Sequence, residues 1–264
     1  MNTLASLLET IVSEEVSSSE CALLFSGGVD SLSCGFAAEA LGKKVHAYTF
    51  RLDGRANADS ISAERAAKLF GWKFTLVDVP TSNLGDDFIK LAEKYDCRKK
   101  TQFECTFPFL YLVPKITERF VLSGIAADGH YGLSKKAMIH FRTPKAKFDT
   151  FRKDYFGAAN PAGQIQQRAL LSEYDHIQCA PYLDRRIFDF FLGFNWFELN
   201  TPYQKMATLL AYRDRFRIVG RRRHANLQLV AGIDKAFERL LNSRLNIKRR
   251  RRVLDLCADF ASQK

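Results

Sequence analysis

The chain has no closely spaced cysteine pair, no hydrophobic run long enough to cross a bilayer and no low-complexity linker or internal repeat. Its six cysteines, Cys21, Cys34, Cys97, Cys105, Cys179 and Cys257, are scattered with no C-x-x-C spacing. That argues against a zinc or iron–sulfur site and against sulfur-transfer chemistry run by a cysteine pair, and leaves reduced thiols packed in a core as the expectation. The greasiest stretch, Phe188 to Phe197, is broken by Asp189 and Asn195 and is too short to span a membrane. Met1 to Val16 carries Glu9, Glu14 and Glu15 with no basic segment, so no secretory leader is expected; a cytoplasmic location without a membrane partner follows. His46, His130, His140, His176 and His224 show no metal-ligand spacing, and for His130 a structural role is the leading expectation. Acid is scarcer than base, 29 Asp and Glu against 40 Lys and Arg, for a formal charge of +11. A balance of that sign suits anionic partners such as nucleotides, pyrophosphate or nucleic acid, without choosing among them.

What is present is an α/β pattern. At 264 residues and 47% hydrophobic content, the chain can bury one large domain with a helical extension. Leu4, Leu7, Leu8, Ile11 and Val12 mark one face of an opening helix. Cys21 to Phe25 is a short apolar run ending at Ser-Gly-Gly, as a buried parallel strand would be. Ser31 to Leu41 reads as a helix, Val45 to Phe50 as a strand, Ala58 to Phe70 as a helix stopped by Gly71, and Lys73 to Val79 as a strand. Asp86 to Tyr95 and Phe109 to Glu118 look helical, and Arg119 to Leu122 reads as a fourth strand. Strands alternating with helices predict a parallel twisted sheet with flanking helices and right-handed crossovers. Beyond about residue 133 strand signals vanish; Gln164 to Glu173, Arg185 to Leu192, Gln204 to Phe216, Ile233 to Leu240 and Arg249 to Phe260 read as helices. The expected organisation is an α/β domain over residues 1–132 and a helical region over 133–264 that completes it.

Ser26-Gly-Gly-Val-Asp-Ser31 stands between a strand and a helix, where anion binding is most favourable. Gly27 and Gly28 let the backbone approach a phosphate with no Cβ in the way. The first helical turn offers free N–H groups and the positive end of the helix dipole, and Ser26 and Ser31 add hydroxyls. Asp30 belongs beside phosphates only if a cation such as Mg²⁺ bridges them.

This hexapeptide resembles the signature of the ATP pyrophosphatase (PP-loop) enzymes and lacks the G-K-[ST] ending of a Walker A loop. Further segments are similar to the asparagine synthetase branch, in the family's order over roughly residues 15 to 230. Leu122-Ser-Gly-Ile-Ala-Ala-Asp-Gly-His-Tyr-Gly132 resembles its second loop, S-G-E-G-x-D-E-x-F-G-G. Pro108 to Leu112, Ala180-Pro-Tyr-Leu-Asp184 (V-P-F-L-D in the family) and Lys205 with Leu209-Leu210 (K-x-x-L-R) resemble further family segments. The resemblance implies an adenine nucleotide α-hydrolase-like, Rossmann-like fold that cleaves ATP to AMP and pyrophosphate. It places ATP on Ser26, Gly27, Gly28, Asp30 and Ser31, with Ser123 and Gly124 close by and adenine near the Phe50 backbone. Mg²⁺ would sit between Asp30 and Asp128.

Three departures qualify the resemblance. The family's glutamine-hydrolysing domain is not expected ahead of this module, so nitrogen is expected from free ammonia, an amine or a separate partner. The glutamate of S-G-E-G falls at Ile125, which handles neither substrate nor protons. The lysine of the family's late R-x-K segment falls at Arg223, which together with Asp30 stands as the catalytic expectation; arginine stabilises charge but is not an equivalent group. The expected activity is an AMP-forming carbon–nitrogen ligase that adenylates an acceptor oxygen and forms an amide. The basic runs Arg221 to Arg223 and Lys248 to Arg252 keep two alternatives open: an ATP-dependent enzyme modifying a nucleobase, with nucleic acid held by the basic C-terminal third, and a non-catalytic nucleotide-binding subunit.

Overall fold

The computed structural model describes residues 3–140, 142, 145–158, 163–220 and 230–241. The elements run α1 (Leu4–Glu15), β1 (Glu20–Leu24), α2 (Val29–Ala40), β2 (Lys44–Leu52), α3 (Ala58–Phe70), β3 (Lys73–Val79), α4 (Leu84–Glu93), α5 (Lys100–Thr106) and α6 (Phe109–Leu112). They continue as β4 (Phe120–Ser123), α7 (Ala127–Tyr131), α8 (Lys135–His140), α9 (Lys145–Gly157), α10 (Gln164–Ser172), β5 (Ile177–Cys179), α11 (Arg185–Leu192), α12 (Trp196–Asn200), α13 (Met206–Ala211), α14 (Arg213–Val219) and α15 (Ile233–Leu241). The sheet is parallel throughout, in the order β3-β2-β1-β4-β5.

β1 lies at the centre because its residues after Glu20 are all buried, which only a strand covered on both faces tolerates. From β1 the chain winds outward through β2 to β3, then returns across the sheet to lay β4 on the other side of β1. The strand order therefore reverses between β1 and β4, and a crevice opens at their carboxyl ends. The segments leaving those two ends are Ser26–Ser31 and the residues after Ser123.

One face of the sheet packs against Leu8, Ile11 and Val12 of α1, Phe36 of α2, Ile187 and Phe191 of α11 and Phe216 of α14. The other packs against Phe88 of α4, Phe103 of α5, Leu170 of α10 and Phe237 of α15. The fold class agrees with the sequence expectation, but the element pattern departs from it in several places. A fifth strand does lie beyond residue 133. β5 is three residues long, with Ile177 exposed and only Cys179 buried, so it carries no apolar run. The helix expected through Glu118 ends at Leu112 and tightens into a 3₁₀ turn over Val113–Lys115, because Pro114 cannot continue an α-helical ladder. The expected helix from Gln204 to Phe216 begins only at Met206 and is split at Tyr212. Helix α5, rich in polar and β-branched residues, was not expected at all.

Among the described residues no helix is long and apolar enough to cross a membrane. The five described cysteines are free. Arg221 to Arg223, Lys248 to Arg252 and the helix expected over Arg249 to Phe260 lie outside the described residues.

An aromatic cluster of Phe25, Phe36, Phe70, Trp72, Tyr212 and Phe216 ties α14 to the face covered by α2 and α3. Gly35 admits the Trp72 indole against the α2 backbone, and a Cβ there would strike the ring. Gly35→Ala is expected to cost about 1–3 kcal/mol by overpacking, read as a lower urea midpoint at unchanged slope; an unchanged midpoint would contradict this packing.

Candidate nucleotide site

The first loop is a backbone cradle. Gly27 has φ 67°, and α3 presses on it so closely that a Cβ would stand 2.7 Å from the Ala63 nitrogen. Gly28 starts α2 with extended φ and ψ and no side-chain cap, so no Gly28 group competes for the first-turn amides. The Ser26 hydroxyl accepts from the Gly28 N–H at 3.2 Å and lies 3.4 Å from the Ser31 hydroxyl, which folds the loop around its serine oxygens.

The second loop touches the first. A Cβ on Gly124 would come within 2.9 Å of the Asp30 carbonyl carbon and the Ser31 nitrogen, so glycine is what lets the two segments meet. Ala126 takes a left-handed conformation at φ 70° to turn the chain into α7, and α7 carries Asp128. In the motif S-G-E-G-x-D a glycine occupies the position of Ala126, and the backbone supplies the reason. An alanine held there stores about 1 kcal/mol of strain.

Between the loops sits Lys205. Its ammonium is 2.5 Å from Asp30 Oδ2 and 2.7 Å from Asp128 Oδ1, with 6% of the lysine side chain exposed. Burial pushes the Asp30 carboxyl up to about 6, against the pull of Lys205 and with the help of Asp128. Burial alone would lower the Lys205 ammonium; the two carboxylates outweigh it and hold the group above its ordinary value. The cluster is charged at neutral pH and carries one negative charge more than positive. Asp30 Oδ1 is buried with no hydrogen-bond partner among the described residues.

Lys205 is the residue that sequence reasoning passed over. It matched K-x-x-L-R but was read as the start of a helix, whereas it stands just before α13 at φ 65°. Asn200 helps hold this turn: its side chain accepts from the Lys205 N–H at 3.4 Å and donates to the Tyr131 carbonyl at 2.9 Å. A buried chain of hydroxyls continues the link. Ser33 donates to the Asp30 carbonyl, its oxygen lies 2.7 Å from the Tyr182 hydroxyl, and Tyr182 and Tyr131 both meet Thr208 on α13. Tyr182 comes from Ala180–Asp184 and Tyr131 from the end of the second loop, so two matched motifs meet in one network.

His130 points away from the crevice. Its ring is stacked between Phe156 and Phe191, burial drives its pKa down to about 3, and Nε2 lies 2.7 Å from the Tyr182 carbonyl, to which it donates. Arg152, fully buried, donates to the carbonyls of His130, Phe191 and Phe194 and so ties α9 to the second loop. Nothing in the sequence marked that arginine.

The crevice is a cavity of about 610 Å³, within the usual range for small-molecule sites. Ser26, Gly28, Asp30, Ser31, Phe50, Ser123, Gly124, Asp128 and Lys205 all line it. Gly27 lines a separate groove behind the loop. Arg223, the expected catalytic cation, lies outside the described residues. Among those residues no group of three or more His, Cys, Asp and Glu gathers as a protein-only metal centre would. Two carboxylates with an unsatisfied oxygen do fit Mg²⁺ held jointly with phosphates, since that ion takes one or two carboxylates and completes its shell with phosphate and water.

The asparagine synthase family model matches residues 3–176, a span that contains both loops and all but the last residues of the sheet. The chain belongs to the asparagine synthase family. Family membership brings ATP use through the PP-loop, in agreement with the cradle, and supports the resemblance read from the sequence. No curated protein matches the chain. Among solved structures, this asparagine synthase-family chain is similar to the crystal structure of a predicted subunit of tRNA methyltransferase from Methanocaldococcus jannaschii. The two are 15% identical, 62% of this chain and 90% of that one are covered, and the TM-score is 0.30, too low to support any argument.

Two outcomes test this geometry. Ala126→Gly is expected to stabilise the protein by about 1 kcal/mol, measured by urea denaturation, by relieving the left-handed alanine; destabilisation would contradict the strain. Because the carboxyl of Asp30 sits at about 6, it gains its proton as pH falls through that value and loses the charge that attracts a cation. The Mg²⁺–ATP affinity advantage of wild type over Asp30→Asn, measured by calorimetry, should be full above pH 7 and shrink towards pH 5. An advantage constant across that range would contradict the assignment.

Proposed function

We propose that this chain is an AMP-forming, ATP-dependent carbon–nitrogen ligase whose triphosphate seat is the crevice between the two loops. The observation that carries this reading is the Asp30–Lys205–Asp128 cluster, which brings two carboxylates and a buried ammonium to one point at the switch in strand order. ATP acts as a substrate. Backbone N–H groups of the Gly27–Ser31 turn receive the β- and γ-phosphates, and Asp30 and Asp128 are the residues that would hold Mg²⁺. The ion supplies charge neutralisation on the phosphate oxygens.

An acceptor carboxylate oxygen attacks the α-phosphorus, the bond from that phosphorus to the bridging oxygen breaks, and pyrophosphate leaves with the electron pair. Lys205 would stabilise the growing charge on that leaving group, a charge-stabilising role of the kind expected from the sequence at Arg223. A nitrogen nucleophile then attacks the acyl carbon, AMP departs, and the nitrogen gives up a proton as the amide forms. The backbone near Phe50, two residues before the end of β2, would contact the adenine.

Acceptor-dependent exchange of labelled pyrophosphate into ATP tests the proposal. Exchange is expected for the wild type, and Asp30→Ala and Lys205→Met should each lower it by roughly 100-fold or more. Formation of ADP and phosphate in place of AMP and pyrophosphate would overturn it.

A further inference from the structure

The cavity has more room and lining than the triphosphate loops account for, and strand order divides it. Tyr48, Thr49 and Phe50 lie on β2, and Asn57 and Asp59 start the helix that follows it; these residues belong to the β2 side. The opposite half lies towards β4 and β5. Ile125 follows β4, Gln167 is on α10, and α10 packs on both β5 and α5, the helix that brings Gln102 and Cys105. Tyr155 of α9 closes this half, its ring lying on the backbone of Gly129 in α7. Exposed Lys99 stands ahead of α5 at the cavity edge.

Among the described residues, this second half carries almost no charge. Asp30, Asp59 and Asp128 are the carboxylates among the described lining residues. Asp59 is on the β2 side, and the other two are engaged by Lys205. Burial pushes the Cys105 thiol up to about 11, so it stays neutral and is not a ready nucleophile. The other described lining groups of this half include the Ile125 alkyl group, the Tyr155 phenol ring, the Gln102 and Gln167 carboxamides and the uncharged Thr101 and Thr106, with Lys99 as a cation at the edge. An amino acid acceptor would bring an α-ammonium into this space, where the described lining residues of this half offer no carboxylate, the nearest being those that face Lys205 and the magnesium-bound phosphates; an ammonium left unpaired there is costly.

Resting on the ligase reading above, we propose that the half-cavity bounded by Ile125, Cys105, Tyr155, Gln102 and Gln167 is the acceptor subsite, and that it selects carboxylic acids lacking an α-ammonium group. Ile125 is the specificity-determining residue: it puts an apolar surface where a carboxylate would pair with that ammonium. Lys99 at the edge favours the anionic form of the acid, and the carboxamides of Gln102 and Gln167 offer hydrogen bonds to neutral polar groups along its body.

The test is pyrophosphate exchange with matched pairs of acids: succinate against aspartate, glutarate against glutamate, and 3-phenylpropionate against phenylalanine. The des-amino member of at least one pair is expected to lead in kcat/KM by about tenfold or more. Ile125→Glu should shrink or invert that preference, while Ile125→Gln, equal in length and uncharged, should keep it. Mg²⁺–ATP binding by calorimetry on each variant separates damage to the nucleotide seat from a change in acceptor choice. Amino acids exchanging as fast as their des-amino partners would overturn the inference and leave the ligase reading standing. ATP binding without exchange for any acid would remove the ligase reading, and the inference with it.

Discussion

Two acids facing each other across a crevice, Asp30 with 17% and Asp128 with 48% of its side chain exposed, repel one another, and the structure is organised around what compensates them. Asp30 and Asp128 come from loops that leave neighbouring strands, and the Lys205 ammonium lies between them. Removing the Lys205 ammonium would leave Asp30 facing Asp128 with no cation between them. The ammonium therefore links the two loops through one carboxylate from each. It is also incomplete by one positive charge, with one Asp30 oxygen unused. A site short of one cation, lined by uncapped helix amides, suits a magnesium-bound polyphosphate.

Holding that geometry requires local strain at two residues of the site. Ala126 and Lys205 both adopt left-handed backbone, one to aim Asp128 and the other to aim its own ammonium, whereas the other left-handed non-glycine residues among those described, Asp53, Asp96 and Asp175, are aspartates, which tolerate that region better. Non-glycine residues keep such conformations only where their surroundings over-determine them. Here the surroundings are the Ser33–Tyr182–Thr208–Tyr131 hydroxyl chain, Asn200, and Arg152 with its three carbonyl acceptors. These groups sit in the core behind the crevice and touch no substrate-facing surface of their own. Their hydrogen bonds tie the first loop, α7 and α13 into one network.

The first loop was legible in the sequence because its chemistry is local: glycines, hydroxyls and an aspartate within six residues at a strand-to-helix junction. The second loop was legible only through its likeness to a family pattern, since Ser123-Gly124 alone is any turn. Lys205 illustrates what sequence cannot express. Its spacing before Leu209 suggests a helical residue, and only tertiary structure shows that it precedes the helix in a left-handed turn and reaches Asp30, 175 positions away. β5 was invisible for a different reason: a three-residue edge strand with one buried side chain has no periodicity to detect. α5 was missed because its face is defined by Phe103 and by the half-cavity it borders, not by an apolar stripe.

The departure at Ile125 becomes intelligible in the same terms. The elements of the proposed phosphate seat share one hydrogen-bonded frame, to which Ile125 contributes its backbone N–H through Ser123, while the residue also lines the cavity. In the proposed acceptor subsite, a change of side chain at Ile125 would leave that backbone link in place. The most direct measurement of the central claim is a crystal structure with Mg²⁺ and α,β-methylene-ATP, whose scissile bond cannot be cut. The account predicts the β- and γ-phosphates on the Gly27–Ser31 amides, with the ion touching Asp30 and Asp128 and Lys205 turned to a phosphate oxygen. A nucleotide bound elsewhere, with the Asp30–Lys205–Asp128 cluster unchanged, would contradict it.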